Sequence, residues 1–246
     1  MGEVDVVARR LLDATSVAVL TGAGVSAESG VATFRDPDGL WSKFSPQELA
    51  SMDGFLANPD RVREWYAYRR AVIDNVDPNP GHYALAELEK VVPTFTLATQ
   101  NVDRLHLRAG SRNVLEVHGN IIEDRCNTCG WINDAHEGQL ECVQCGGVMR
   151  PNVVWFGEML PADVFSAAEA AARSCDVFLT IGTSAEVYPA AMLPHEARRH
   201  GAFVVEVNPT VTEFTPYAHV ALQGPSGEIL PLLVTELLNL RMVEEQ

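Results

Sequence analysis

Four of the five cysteines have a spacing that suits a metal ion. Two residues separate Cys126 from Cys129 and Cys142 from Cys145, and twelve residues separate the two pairs. The N-terminus is charged and helix-patterned rather than signal-like, which favours thiolates over disulfides. Four thiolates fill the tetrahedral shell of Zn²⁺ and leave no open position. The sequence therefore predicts one structural zinc ion with no catalytic role.

A glycine turn is the second feature that could do chemistry. Residues 22–27 read GAGVSA, a pattern in which glycines let backbone amides approach a pyrophosphate. A nicotinamide dehydrogenase should also carry an Asp or Glu at the end of a second strand, about 20 residues further on. Residues 40–44 read LWSKF, with neither a strand pattern nor an acid. The sequence predicts a bound dinucleotide without the architecture for hydride transfer.

Polar or glycine-bearing turns follow all six runs that we predict as strands. The carboxyl ends of parallel strands meet at one edge of a sheet, so these turns should line one large ligand site. Strand-to-helix turns are rich in Gly, Asn and Ser for structural reasons too, but His and Asp among them favour chemistry. The turns are Gly22–Gly24, Gln100–Asp103, His118–Asn120, Gly182–Ser184, Asn208–Pro209 and Gly224.

The elements that position these turns alternate along the chain. Short apolar runs and longer amphipathic stretches indicate an α/β fold, a Rossmann-like parallel sheet with helices on both faces. The predicted strands are Val17–Thr21, Phe95–Thr99, Val114–Val117, Val177–Ile181, Phe203–Val207 and Val220–Leu222. The predicted helices are Val4–Ala14, Pro80–Val91, Ala162–Ser174, Pro189–His200 and Ile229–Met242, the last with Pro231 in its first turn.

Two stretches interrupt the alternation. Residues 36–77 show two helical patterns, Pro46–Leu56 and Pro59–Val76, and residues 123–150 carry the four clustered cysteines. We predict that this helical insertion and a zinc ribbon form a smaller lobe. The discontinuous dinucleotide-binding domain would then comprise residues 1–35, 78–122 and 151–246.

Composition excludes several classes of partner. The chain has 18 basic and 33 acidic residues, a net charge of −15, which argues against binding to nucleic acid or to anionic lipid. Apolar runs stay below the roughly 20 residues that span a bilayer. We expect a cytoplasmic protein with no nucleic-acid or membrane partner.

Taken together, the motifs resemble those of the sirtuins, NAD-dependent protein deacylases. The matching segments are GAGVSAESGVATFR (22–35), TQNVDRLH (99–106), HG (118–119), PNVVWFGE (151–158), GTS (182–184) and VN (207–208). The four cysteines also match in identity and order. One departure is Ala32-Thr33, where most sirtuins carry Pro-Asp, although Thr33 is familiar in the desuccinylase and demalonylase branch.

The resemblance implies a reaction and a set of roles. An acyl-lysine oxygen attacks the ribose carbon of NAD, and free lysine, nicotinamide and O-acyl-ADP-ribose are the products. His118 is the implied base, Asn101 orders the ribose side of the site, Asp103 holds the nicotinamide amide and Phe34 shields the reacting carbon. The implied cofactor-binding residues are Gly22, Ala23, Gly24, Ser26, Phe34, Arg35, Gln100, Asn101, Asp103, Gly182, Thr183, Ser184, Asn208 and Ser226.

The implied substrate is an acyl-lysine in a protein or peptide. Val154 and Phe156 would be walls of an acyl-lysine tunnel, and Gly157-Glu158 an edge to which the peptide adds as a strand, as would the segment near Val187. Tyr66 and Arg69 are three residues apart on a predicted helix and share a face, which suits the carboxylate of an acidic acyl group. This Tyr-x-x-Arg pattern resembles the sirtuins that remove succinyl, malonyl or glutaryl groups, and Ala50 matches the small residue that gives those groups room.

Several alternatives remain open from the sequence. A plain deacetylase would use the same site, and an ADP-ribosyltransferase would use the same activated ribose. A non-catalytic NAD-sensing zinc module would bind the nucleotide without turnover. We favour removal of acidic acyl groups as well as acetyl groups.

Overall fold

The structure is a computed structural model that describes residues 2–34 and 39–244. The strands are β1 (Ser16–Thr21), β2 (Thr94–Thr99), β3 (Val114–Glu116), β4 (Gly119–Cys126), β5 (Ile132–Asp134), β6 (Met149–Val153), β7 (Val177–Ile181), β8 (Phe203–Asn208) and β9 (Val220–Gln223). The helices are α1 (Glu3–Leu12), α2 (Gly24–Ala27), α3 (Leu40–Lys43), α4 (Pro46–Leu49), α5 (Met52–Ala57), α6 (Pro59–Asp74), α7 (Pro80–Val91), α8 (Leu105–Arg108), α9 (Ala162–Ser174), α10 (Leu193–Arg199) and α11 (Ser226–Glu244).

Six parallel strands form the main sheet, in the order β3-β2-β1-β7-β8-β9. Side chains alternate along β1, so Val17 and Val19 enter one apolar cluster while Ala18 and Leu20 enter another on the opposite face. Helices α1, α7 and α11 cover the first face, and α9 and α10 cover the second. A parallel sheet needs apolar cover on both faces, which explains why its strands are continuous apolar runs.

A smaller lobe is built from the two insertions. β4 pairs antiparallel with β5 and with β6, and α3 to α6 lie in the helical insertion. Phe55, Trp65 and Tyr66 of that insertion share an apolar cluster with Ile121 of β4 and with Trp155, just after β6. The two insertions are therefore packed against each other around aromatic side chains.

The predicted fold class is confirmed, and each of the six predicted strands of the main sheet ends within one residue of its observed limits. Helices Pro80–Val91 and Ala162–Ser174 match at both ends. Among the helices described, none combines the length and apolar composition that crossing a bilayer requires.

Three helix predictions were wrong in detail. The predicted Pro46–Leu56 helix is divided into α4 and α5, because Ser51 caps α5 and pairs with Phe156 instead of continuing a helix. The stretch Pro189–His200 starts with a 3₁₀ turn before α10. Helix α11 begins at Ser226, so Pro231 lies inside the helix rather than in its first turn.

A tertiary contact accounts for the early start of α11. The Glu28 carboxylate accepts a hydrogen bond from the Gly227 N–H at 2.7 Å and one from the Ser226 hydroxyl at 3.3 Å. A carboxylate at this end satisfies free N–H groups of the first turn. Glu28 is about 200 residues away in the chain, so local sequence patterns carry no sign of this cap.

Candidate active site and metal centre

The carboxyl ends of all six parallel strands lie at one edge of the main sheet, and two of their turns interlock there. A Cβ at Gly22 would lie 2.7 Å from the Gly182 carbonyl oxygen, and one at Gly24 would lie 2.8 Å from the Gly182 Cα. Gly182 itself has φ +59°, and a Cβ there would lie 2.5 Å from the Val25 nitrogen. The glycines thus allow the turns after β1 and β7 to touch, in addition to any contact with a ligand.

The rest of the turn after β7 is held by hydrogen bonds to its neighbours. The Asn208 side-chain amide at the end of β8 donates to the Thr183 carbonyl at 2.7 Å. The Thr183 hydroxyl lies 3.1 Å from that of Thr180, and both residues are buried. Ser184 is exposed. The predicted residues Thr183, Ser184 and Asn208 therefore lie together at this edge.

Behind the glycine turn, three predicted site residues form one buried network. The Asn101 side-chain amide donates to the Gly22 carbonyl at 3.0 Å and to the Ser26 hydroxyl at 3.1 Å. The Ser26 hydroxyl in turn donates to the Asp103 carboxylate at 2.7 Å, and the Leu105 N–H donates to the other carboxylate oxygen at 2.9 Å. Burial raises the pKa of Asp103 despite these hydrogen bonds. The sequence motifs separated by about 75 residues thus form one polar surface.

Two buried histidines support this network, and sequence analysis gave neither a role. His82 accepts a hydrogen bond from the Asn79 N–H at Nδ1, so its Nε2 carries the hydrogen and faces the Ser26 hydroxyl at 3.4 Å. His106 lies 4.8 Å from His82 between ring centroids and contacts the Thr21 hydroxyl at 2.9 Å through Nε2. Burial lowers the pKa of His82 to about 4. Burial and the neighbouring His82 lower the pKa of His106 well below its usual value.

His118 is held with one ring nitrogen fixed. Its Nδ1 lies 3.1 Å from the Gln100 carbonyl oxygen, which can only accept, so Nδ1 carries the hydrogen and Nε2 keeps its lone pair. Burial lowers the pKa of His118, which favours the neutral imidazole at pH 7. The Val154 N–H donates to the His118 carbonyl at 2.9 Å. His118 therefore has the protonation state that a general base needs.

The segment after β6 ties the main sheet to the helical insertion. The Trp155 indole N–H donates to the Tyr66 hydroxyl at 2.8 Å, and both side chains are buried. The Phe156 N–H donates to the Ala50 carbonyl at 2.9 Å, while the Phe156 side chain is half exposed. Residues 154–156 thus place the predicted substrate residues Ala50, Tyr66 and Phe156 next to the strand that leaves His118.

Arg69 lies in the same region and is buried among aromatic side chains. The residue is 7% exposed, and its guanidinium carbon lies 4.9 Å from the Trp65 ring centroid and 5.0 Å from that of Phe34. Within the described chain, no carboxylate oxygen lies within 4.0 Å of its nitrogens, and Tyr66 and Asp103 are the groups whose charge acts on it. Burial lowers the pKa of Arg69. Phe34, Tyr66 and Arg69, predicted separately for NAD and for substrate, are thus neighbours.

The metal centre lies in the small lobe, where Cys126 is the last residue of β4. The Sγ atoms of Cys126 and Cys145 are 3.5 Å apart, those of Cys129 and Cys142 are 3.6 Å apart, and all four lie within 4.8 Å of one another. A tetrahedral zinc site with bonds of 2.3 Å requires about 3.8 Å between sulfurs. The four cysteines are therefore positioned to hold one structural zinc ion, as predicted.

Comparison with known proteins identifies the family. The Sir2 family model matches residues 22–189. A Pyrobaculum aerophilum protein named NAD-dependent protein deacylase 2 is 49% identical over 234 residues, which cover 94% of each chain. The chain belongs to the Sir2 family. Many further relatives carry the name NAD-dependent protein deacylase, and this Sir2-family chain is an enzyme of that class.

Solved structures of Sir2-family proteins share the fold of this chain. The ADP-ribose complex of a Sir2 homologue variant has a TM-score of 0.94 and 41% identity, and covers 99% of each chain. A Sir2 homologue bound to a myristoylated histone peptide has a TM-score of 0.81 and 37% identity, and covers 98% of each chain. NAD is thus the co-substrate of this Sir2-family enzyme, and the glycine turns and buried Asn101 network offer the polar surface that a dinucleotide needs.

Several predicted site residues form hydrogen bonds or ion pairs with other residues of the protein. The Glu158 carboxylate forms an ion pair with the fully buried guanidinium of Arg150 and accepts a hydrogen bond from the Trp155 N–H at 2.9 Å, so this side chain fixes the turn at Gly157. Ser226 is buried, and its hydroxyl faces the capping carboxylate of α11. Arg35 lies outside the described residues. In this Sir2-family chain the individual roles of the site residues stay predictions.

Proposed function

We propose that this Sir2-family enzyme removes acidic acyl groups, succinyl and malonyl, from lysine side chains of proteins or peptides, in addition to acetyl groups. The observation that carries the proposal is the buried Arg69 guanidinium, which has no carboxylate partner in the described chain. A buried cation loses hydration and needs an anion or hydrogen-bond acceptors in return. The carboxylate of a succinyl or malonyl group would supply that anion.

Tyr66 supports the same proposal. Its hydroxyl accepts a hydrogen bond from the Trp155 indole, so its own hydrogen remains for donation to a substrate oxygen. Burial raises the pKa of Tyr66, with Arg69 acting in the opposite direction, so the group is a neutral phenol at pH 7. A planar guanidinium and a phenol on one helix face match the two oxygens of a carboxylate. Ala50, buried beside the strand segment that carries Phe156, leaves room for the chain that bears this carboxylate.

The reaction would use the sheet edge as follows. Bound NAD would supply an electrophilic ribose carbon, which the acyl oxygen would attack as nicotinamide leaves. His118 would then take a proton from a ribose hydroxyl at Nε2, the nitrogen that keeps its lone pair. Asn101 would order the ribose side, Asp103 would hold the nicotinamide amide, and Phe34 would exclude water. The deprotonated ribose oxygen would attack the acyl-bearing carbon, one water would add as the bond from that carbon to the lysine nitrogen breaks, and the products would be free lysine, nicotinamide and O-acyl-ADP-ribose.

The peptide would bind as an added strand between two segments. Within the described chain, Gly157 and Ala185 make no backbone hydrogen bonds to other residues, and such free N–H and C=O groups can pair with an extended peptide. We also propose a cytoplasmic location and, from the charge of −15, no nucleic-acid or membrane partner.

Steady-state kinetics on matched acetyl- and succinyl-lysine peptides tests the acyl proposal. Arg69→Met should lower kcat/KM for the succinyl peptide about 100-fold and change the acetyl value little, because a hydrogen bond to a charged group contributes roughly 1.5–3 kcal/mol. Tyr66→Phe should lower the succinyl value about 10-fold. Arg61→Met is the matched control, since Arg61 is an exposed arginine on the same helix, paired with Glu48.

An unchanged ratio of the two kcat/KM values in Arg69→Met would contradict the proposal. Mass spectrometry of the products separates the remaining alternatives. Transfer of label from NAD to protein would indicate an ADP-ribosyltransferase, and NAD binding without turnover would indicate a sensing module.

A further inference from the structure

A cavity of about 430 Å³ opens beside the turn that follows β7. It is lined by Ala185, Tyr188, His195, Glu213, Phe214 and Tyr217. None of these residues belongs to the predicted NAD, acyl or zinc sites. Its lining comes from three parts of the chain: the segment after β7, helix α10 and the loop between β8 and β9.

The cavity has aromatic walls and polar groups that face no protein partner. The His195 ring lies 4.9 Å from Phe214 and 5.1 Å from Tyr217 between centroids, both edge to face. Three polar groups of the lining make no hydrogen bond or ion pair in the described chain: the hydroxyls of Tyr188 and Tyr217 and the carboxylate of Glu213. All three residues are exposed. These groups are therefore available to a ligand.

The charge of the lining favours a cation. Burial, and secondarily the nearby Arg199, lower the pKa of His195, so the ring is neutral at pH 7, and Arg199 itself pairs with Glu196 on the same helix. Glu213 is then the charged group of the lining. Aromatic faces beside a carboxylate suit a guanidinium, which stacks on rings and pairs with carboxylates.

The position of the cavity points to the source of that cation. Ala185 and Tyr188 flank Glu186 and Val187, the segment along which the peptide is proposed to add as a strand. In an extended peptide alternate side chains point to the same side, about 6.6 Å apart, so a residue near the acyl-lysine would face the cavity. The net charge of −15 also favours basic peptides.

We propose that this cavity binds an arginine side chain of the substrate peptide, within three residues of the acyl-lysine, and thereby sets sequence preference. The inference rests on the proposed placement of the peptide, but not on the identity of the acyl group.

A positional scan tests the proposal with acetyl-lysine peptides. Each peptide carries one arginine at a position from −3 to +3 in an otherwise alanine-based sequence. In the parent enzyme, arginine at one or two positions should raise kcat/KM about fivefold, mainly through KM, because exposed cation–π and ion-pair contacts are individually weak. Glu213→Gln and Tyr188→Leu should each remove most of this gain. Glu3→Gln, an exposed carboxylate on α1, is the control and should leave it unchanged.

Ionic strength gives a second readout. The arginine gain should shrink with added salt in the parent and not in Glu213→Gln. A gain at no position, or a gain equal in Glu213→Gln and the parent, would overturn the inference. An unchanged ratio of succinyl to acetyl kcat/KM in Arg69→Met would instead overturn the proposed function and leave this result standing. If no peptide is turned over, calorimetry measures the Kd of the same peptides, and the arginine gain in affinity is compared between the parent and Glu213→Gln in the same way.

Discussion

Ser26 in the main sheet region and Arg69 in the small lobe are both buried polar residues, but they differ in how far the protein satisfies their polar groups. Ser26 donates to Asp103 and accepts from Asn101, so its hydrogen bonds are made before any ligand binds. Arg69 has aromatic neighbours and no carboxylate partner in the described chain. The sheet edge is thus organised before any ligand binds, which suits a constant co-substrate, whereas the small lobe leaves a buried charge that we propose the substrate satisfies.

The two regions also differ in what stabilises them. The sheet is covered by two extensive apolar clusters, but among the residues that the structure describes, the cluster around the cysteines contains only Cys126, Cys142 and Met149, with Trp131 packed against it. So few apolar side chains cannot order a ribbon of this length. The metal must therefore supply the folding free energy there.

Removal of zinc should have the largest effect. A strong chelator, or Cys129→Ser, should unfold the ribbon and abolish activity, because structural zinc binding is coupled to roughly 10 kcal/mol of folding. Hydrogen exchange should show loss of protection across β4 to β6. β1 and β7 should remain protected, and equal loss in both regions would contradict the separation of the two.

His118→Ala tests the predicted role of the sheet edge in catalysis. We expect kcat to fall about 100- to 10,000-fold while calorimetry shows little change in NAD affinity. The acid limb of the kcat/KM profile of the parent should lie below pH 6.5, because burial lowers the pKa of His118. A limb above that pH would contradict the assignment of His118 as base.

Gly182→Ala should show how tightly the sheet edge is packed. The new Cβ would lie 2.5 Å from the Val25 nitrogen, and φ is +59°, so we expect a loss of about 3 kcal/mol in the free energy of unfolding. Gly138→Ala in the small lobe is a matched control, with φ +65° and open space around it. It should cost about 1 kcal/mol. If urea unfolding shows equal losses of stability in the two variants, the positive φ, and not the close approach of the turns, accounts for the cost of Gly182→Ala.

Acidification should weaken the sheet region through His82. Its pKa is about 4 in the folded protein against about 6.5 when unfolded, so the unfolded chain binds more protons between these pH values. Stability should therefore fall as the pH falls, by about 2 kcal/mol from pH 7 to pH 5. Urea unfolding of His82→Gln should show a smaller pH dependence, and an unchanged one would contradict the prediction.

In the small lobe, stability should change with pH in the opposite direction, and this change should be the smallest of those predicted. His136 lies 2.8 Å from Asp134 and 3.0 Å from Asp74 of α6, and hydrogen bonds to Asp74 and then Asp134 raise its pKa. Its contribution is present below pH 6.5 and is lost as the pH rises through the folded-state pKa. Its partial exposure limits the effect to a few tenths of a kcal/mol. Local hydrogen exchange of the parent and His136→Gln between pH 6 and pH 8 measures it.

Much of the site could be predicted from the sequence. The apolar runs predict the strands, and their order in the chain places His118 and the Asn101 turn at carboxyl ends. The cysteine spacing predicts the zinc site, which its sulfur geometry supports. The contact between Gly182 and the turn after β1 could not be predicted, because no local pattern shows which turns meet. His82 and His106 were missed as supports because a buried histidine in a helix has no local signature of its partner.

By itself, the sequence determined the α/β alternation, the metal ligands and the residue types of the site, because periodicity and ligand spacing are local properties of a chain. The tertiary structure alone decided which polar groups are already satisfied. It joins Ser26 to Asp103 and caps α11 with Glu28, and it leaves Arg69 buried without a carboxylate partner in the described chain. The reason is that burial and hydrogen bonding depend on groups far apart in sequence, whose distances are fixed only when the sheet and the insertions pack.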